Sequence, residues 1–283
     1  MNKIAIVTDS TAYIPAEYVR QHNITVAPQV LIWDNQTFRD GIDIGSDEFF
    51  SRLKTAKVMP STSQVSPASM QSIFQPLVDQ GFEVVGIFIS SKLSGTLQSA
   101  VQGKEMMGSA GDKVSLVDSQ STAMALGFQV LAAARSLEAG ASLKETVALA
   151  EKAHSRTGIF FAVDTLEFLH RGGRIGGAQR FIGSVLNLKP ILELRNGLVD
   201  GIERIRNKNK AHDRILELVA EKTKGKSNIR IASLHANAAE DAKALLARAV
   251  KELNPVETIF TEVSPVVGTH TGPGTVGLAF MFD

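Results

Sequence analysis

Short apolar runs alternate with amphipathic stretches through the first half of the chain, the pattern of a parallel sheet covered by helices on both faces. The runs KIAIV (3–7), TVAPQVLIW (25–33), EVVGIFI (83–89) and KVSLV (113–117) read as strands. Between them Met70, Ile73, Phe74, Leu77 and Val78 recur at helical spacing, with Ser66 as N-cap and Pro67 in the first turn. Pro76 is expected to kink or end that helix. Thr96 to Met107 and Thr122 to Glu138 read as the next helices, and Ser142 with Glu145 forms a capping box that opens a helix over 143–154.

Beyond residue 156 the pattern changes. A strand over 158–163, a helix to about His170, the turn Gly172-Gly173 and a helix from about Ala178 come first. Two strands then flank Asn196-Gly197, a hairpin signal, followed by a helix over 211–223, a strand over 228–234 and a helix over 238–252. Adjacent hairpin strands imply a mixed or antiparallel sheet. The expected organisation is therefore an α/β domain over 1–156 and an α+β domain over 157–283.

Composition narrows the function. The 283 residues carry no Cys, which excludes disulfides, Cys-ligated metals and thiol nucleophiles and fits a reducing compartment. Thirty basic side chains against 29 acidic give a net charge of +1, with no general attraction to nucleic acid or acidic membranes. No apolar run approaches the ~18 residues of a membrane span, and Asp9 arrives too early for a signal peptide, so a cytoplasmic location is expected. Fourteen Phe and 7 Met stand against 2 Tyr and 1 Trp, so most of the apolar matter lacks a polar handle and suits either a core or an apolar ligand site.

Candidate chemistry concentrates where ligands bind in open parallel sheets, beyond the carboxyl ends of the strands. Thr8-Asp9-Ser10-Thr11, Ser90-Ser91-Lys92-Leu93-Ser94-Gly95-Thr96 and Asp118-Ser119-Gln120-Ser121 each follow a strand, and Pro60-Ser61-Thr62-Ser63-Gln64 precedes a helix. One such cluster is what turns and caps use anyway. Four at one sheet edge make a donor-rich anion site without fixed positive charge. Enzyme templates fail: there is no Gly-x-Ser-x-Gly elbow, no His-Glu-x-x-His and no P-loop. Gly272 to Gly277 matches the dinucleotide glycine pattern, but only six residues follow it. The acids Asp40, Asp43, Asp47 and Glu48 fit no calcium loop, and Ser46 as N-cap with acids in the first turn accounts for half of them, so no metal is expected.

Three further features stand in the second half. Arg171 and Arg174 flank a glycine-rich turn, where guanidinium and backbone N–H groups meet an anion together. His270 stands in a loop of small residues, Gly268 to Gly274. Residues 204–214 set Arg204, Arg206, Lys208, Lys210 and Arg214 against Asp213 alone, a local charge of +4 within a near-neutral chain and a candidate docking patch.

The segments VTDST, PSTSQ, SSKLSGTLQSA, VDS, DTLEFLHRGGRIG, LNLKPIL and GTHTGPGTVG, in this order over the whole chain, resemble the DegV family of bacterial fatty-acid-binding proteins. The resemblance implies a Rossmann-like parallel-sheet domain joined to an α+β domain, with a long-chain fatty acid as ligand in a tunnel between and beneath them and no other cofactor. It implies a lipid carrier without catalysis of its own. Such a carrier presents the carboxylate to a separate ATP-dependent fatty-acid kinase subunit and carries acyl phosphate toward phospholipid synthesis, touching the membrane at most transiently. By the same resemblance Thr62, Ser94 and the Gly95 backbone hold the carboxylate, with His270 and Arg171 close by. Arg174, Arg204 and Arg206 match the kinase-docking surface. Tyr13 stands where the family usually shows an acid, which is expected to alter a local surface contact. Two alternatives stay open at this point: a hydrolase or phosphotransferase using the hydroxyl-lined site, and a lipid-responsive regulatory protein.

Overall fold

The strands of the first half are apolar on both faces because helices cover both. In the computed structural model, which describes residues 3–183 and 188–283, the first half runs β1 (Lys3–Asp9), α1 (Ala16–Gln21), β2 (Thr25–Ala27), β3 (Val30–Trp33), β4 (Gln36–Arg39), α2 (Ser46–Leu53), β5 (Ser61–Ser63), α3 (Pro67–Asp79), β6 (Phe82–Phe88), α4 (Thr96–Glu105), β7 (Val114–Asp118), α5 (Ala123–Glu138) and α6 (Leu143–Ala153). The second half continues with β8 (Thr157–Ala162), α7 (Glu167–Arg171), β9 (Lys189–Arg195), β10 (Leu198–Ile205), α8 (Lys208–Thr223), β11 (Arg230–His235), α9 (Ala239–Leu253), β12 (Glu257–Glu262), α10 (Pro265–Thr271) and β13 (Val276–Met281). Part of the LNLKPIL motif lies at 184–187, outside the described residues.

β2, β1, β6 and β7 form a four-stranded parallel sheet in that order. Chain order reverses between β1 and β6, so the crevice beyond their carboxyl ends is the expected ligand position. A six-stranded sheet, ordered β10-β9-β8-β13-β11-β12, is antiparallel except where β11 meets β12. This is an α/β protein with one parallel and one mixed sheet.

α5 lies against strands of both sheets. It is buried all round, from Met124 through Phe128 to Leu131, as a helix enclosed by two layers must be. The largest apolar cluster runs through it, joining Ile6, Val85 and Ile87 of one sheet to Ile159, Phe161 and Leu234 of the other. Smaller clusters lie under α8 and α9 on the far face of the mixed sheet and under α3 and α4 on the far face of the parallel one. Among the described residues no helix is long and apolar enough to cross a membrane.

Local readings differ from expectation at several points. The run TVAPQVLIW is two strands: β2 joins the parallel sheet, whereas β3 pairs with β4 and β5 in a separate antiparallel sheet. Pro28, with no N–H to give a ladder, marks the break. α3 continues past Pro76 to Asp79. Ser46 is the first residue of α2 rather than its cap, and its hydroxyl donates to the Val263 carbonyl at 3.0 Å. The helix expected from about Ala178 is a short 3-10 turn over Gly176–Phe181. The loop expected around His270 is α10, which places that histidine in a helix's last turn.

Candidate functional site

Beyond the ends of β1 and β6 lies a cavity that opens to solvent, about 940 Å³ when the open space at its mouth is counted. Its floor is one face of the mixed sheet. Ile159 and Phe161 alternate along β8, Leu194 and Val199 face each other across the β9–β10 hairpin, and Leu234 projects from β11. Val266 and Val267 of α10 and Leu93 close other walls. A period of two in each strand turns these side chains toward one face.

The polar lining gathers around Arg174. Its Nε donates to the Leu93 carbonyl at 3.1 Å and its Nη1 to the Gly172 carbonyl at 2.7 Å. Ser94 follows Leu93, and Thr62 of β5 meets His270 with 2.8 Å between Oγ1 and Nε2. Burial, with a smaller contribution from the Arg174 charge, lowers the His270 pKa from 6.5 to about 4, so the imidazole is neutral near pH 7. Among the described residues the buried His270 Nδ1 has no hydrogen-bond partner. Gly172 makes this packing feasible: a Cβ there would lie 2.1 Å from His270 Nδ1.

With Nδ1 unpaired, the network assigns the imidazole proton to Nε2, which donates to Thr62. The Thr62 proton is then free for a ligand. Ser94 Oγ accepts from the Thr96 backbone N–H at 3.3 Å and lies 2.8 Å from Thr96 Oγ1. Both hydroxyls therefore have a donor behind them and a proton left for a ligand oxygen.

The structure brings Thr62, Ser94 and His270 into the cavity lining and adds Arg174, expected at a docking surface. Gly95 does not line the cavity. A Cβ on it would meet the Gln64 side chain at 2.7 Å, so the missing side chain makes room for Gln64, which does line it. Arg171 lies outside, in a vestibule shared with Met59, Pro60, Thr62, Arg174 and His270, and is paired with Glu167. Arg204 and Arg206 are exposed, with the Arg204 guanidinium 5.1 Å from the Phe181 ring centre.

Tyr13 corrects an expectation. Its ring lines the cavity rather than a surface contact, its backbone sits at φ 54° and its hydroxyl is shielded from solvent. Burial raises its pKa well above 10. Gln29 lines the cavity as well and was missed in the sequence, where it lies inside a run read as one strand. The acids around residue 40 separate: Asp43 pairs with Arg39, and Asp40 is buried against α10. Among the described residues no cluster of three His, Cys, Asp or Glu is placed to hold a metal ion.

Fold and cavity together define an α/β protein of a parallel, a mixed and a small antiparallel sheet, with a mostly apolar cavity whose polar lining is hydroxyls, amides, a neutral histidine and Arg174. The chain belongs to the DegV family, whose model, described as an uncharacterised protein family, matches residues 3–283. A DegV domain-containing protein of Streptomyces coelicolor is 37% identical over 278 residues, 97% of each chain. Among solved structures, a DegV family protein from Thermus thermophilus described by its fatty acid binding superposes with a TM-score of 0.94 at 34% identity, covering 100% of both chains. The Bacillus subtilis DegV structure, described as a fatty acid binding protein, gives 0.91 at 34% identity, again over 100% of both.

Proposed function

We propose that this protein binds a long-chain fatty acid in the cavity and presents its carboxylate at the Thr62, Ser94 and His270 end to a separate ATP-dependent kinase, without catalysis of its own. The acyl phosphate so formed would pass to phospholipid synthesis in the cytoplasm. One observation carries the reading: a mostly apolar cavity whose polar lining is uncharged side chains beside Arg174. Burying about 14 methylenes at ~0.8 kcal/mol each offers on the order of 11 kcal/mol before ordering and association costs. Each hydrogen bond to the head group adds ~1.5 to 3 kcal/mol. The tail holds the ligand, and the hydroxyls set its depth and presentation.

The carrier role draws support from His270. A histidine acting as general base is oriented by an acceptor at its second nitrogen. Among the described residues none stands at His270 Nδ1. On the same reading the domain boundary falls at 156/157, with the ligand between the two sheets. Protein purified from cells is expected to release fatty acid on denaturation, detected by mass spectrometry. Ligand-free protein that also refuses palmitate and oleate would refute the proposal.

A further inference from the structure

Gln29 is 2% exposed and reaches the cavity from the link between β2 and β3. Its Nε2 lies 2.8 Å and its Oε1 3.1 Å from Thr96 Oγ1, itself fully buried. Thr96 Oγ1 is 2.8 Å from Ser94 Oγ. Each hydroxyl has one proton and two lone pairs, whereas a carboxylate only accepts. For Ser94 to donate to a carboxylate its oxygen must accept from Thr96. The single Thr96 proton is then committed to Ser94, and Thr96 must itself accept. The Gln29 amide N–H is the donor in reach. Of the two amide atoms, Nε2 is the closer to Thr96 Oγ1, which fits the N–H end on this side.

The backbone of Gln29 serves the other arm of the site. Its N–H donates to Ser10 Oγ at 3.1 Å, Ser10 donates to Asp40 Oδ2 at 2.6 Å, and Asp40 Oδ1 accepts from Val266 N at 3.1 Å in the first turn of the His270 helix.

We infer that Gln29 is a positioning residue that sets the direction of the hydroxyl relay, making Ser94 a donor and fitting the site to a head group that only accepts hydrogen bonds. The inference rests on the fatty-acid reading above and adds a head-group selectivity to it.

Gln29→Glu keeps the shape but turns the donor into an acceptor. Thr96 then donates to the new carboxylate, Ser94 donates to Thr96, and no proton remains for the ligand. Delipidated protein would be titrated with palmitate and with hexadecanol at mildly alkaline pH. An alcohol both donates and accepts, so it tolerates either direction of the relay.

Gln29→Glu is expected to weaken palmitate by roughly tenfold or more while hexadecanol stays within about threefold. Adding Thr96→Val to Gln29→Glu removes the reversed link and is expected to restore the ratio of the two affinities. Gln29→Met removes the donor without supplying an acceptor, so the relay can run either way, and it is expected to move the ratio in the same sense as Gln29→Glu but by only about two- to threefold. Should Gln29→Glu not fold, an unchanged ratio with Gln29→Met would overturn the inference. Equal loss of both ligands, or unchanged palmitate binding, in Gln29→Glu would overturn it too. A wild-type protein that takes up no palmitate would instead refute the fatty-acid reading.

Discussion

His270 shows how a side chain can be tuned by being left without charge. Half-buried beside Arg174, it has a pKa of about 4 against an ordinary 6.5. The folded state therefore refuses a proton that the unfolded state accepts between those values. Stability falls as pH is lowered through that window, by up to about 3 kcal/mol at its lower edge. His270→Gln removes the group and its contribution. Urea midpoints at pH values above and within the window are expected to drop further for the wild type than for the variant. Parallel curves would show that His270 is not held neutral. Asp9 and Asp40, both raised chiefly by burial, act in the opposite sense and cancel in the comparison because both proteins keep them.

At the scale of elements the site depends on α10, seven residues long and too short to persist alone. Its N-cap Ser264 makes no side-chain cap, and the Val266 N–H is taken instead by Asp40 from the other half of the chain. Asp40→Ala strands that N–H and the Ser10 hydroxyl. Part of the loss is offset by relief of the desolvation that raises the Asp40 pKa, which leaves a destabilisation of about 2 kcal/mol. Asp40→Asn keeps one acceptor and is expected to lose less. Equal losses, read by urea denaturation, would show that capping of α10 is not what Asp40 supplies.

The same elements show what a sequence discloses. Short apolar runs marked β1, β6 and β7, and a period of 3.6 marked α3, α5 and α8, because burial fixes those patterns locally. The break at Pro28 and the helix at His270 were hidden because β3 and α10 owe their places to partners far along the chain. Thr62, Ser94 and His270 were legible as polar residues in motif segments. Gln29 drew no notice, and Tyr13 and Asp40 were noticed without their placement, because nothing in their own neighbourhoods says which way they point.

For the whole molecule, the net charge of +1 conceals how the cations are used. Of the local +4 over 204–214, Arg214 is tied to Glu203, Glu217 and Glu221, Lys208 to Asp241, and Asp213 to Arg248. Arg204 and Arg206 stay exposed, Arg204 against Phe181, and Arg206 forms no ion pair with the described residues. Charges of this kind at the rim of an interface govern encounter with a partner more than ligand binding. The double variant Arg204→Glu with Arg206→Glu is therefore expected to slow kinase-dependent acyl-phosphate formation by roughly tenfold at low salt, with palmitate uptake unchanged. Added salt should narrow the gap by slowing the wild type, since screening shortens the reach of exposed charges to about 8 Å at physiological ionic strength. Unchanged kinase turnover in the variant would move the docking face elsewhere, and a parallel loss of palmitate uptake would show that the two arginines support the ligand site rather than a partner.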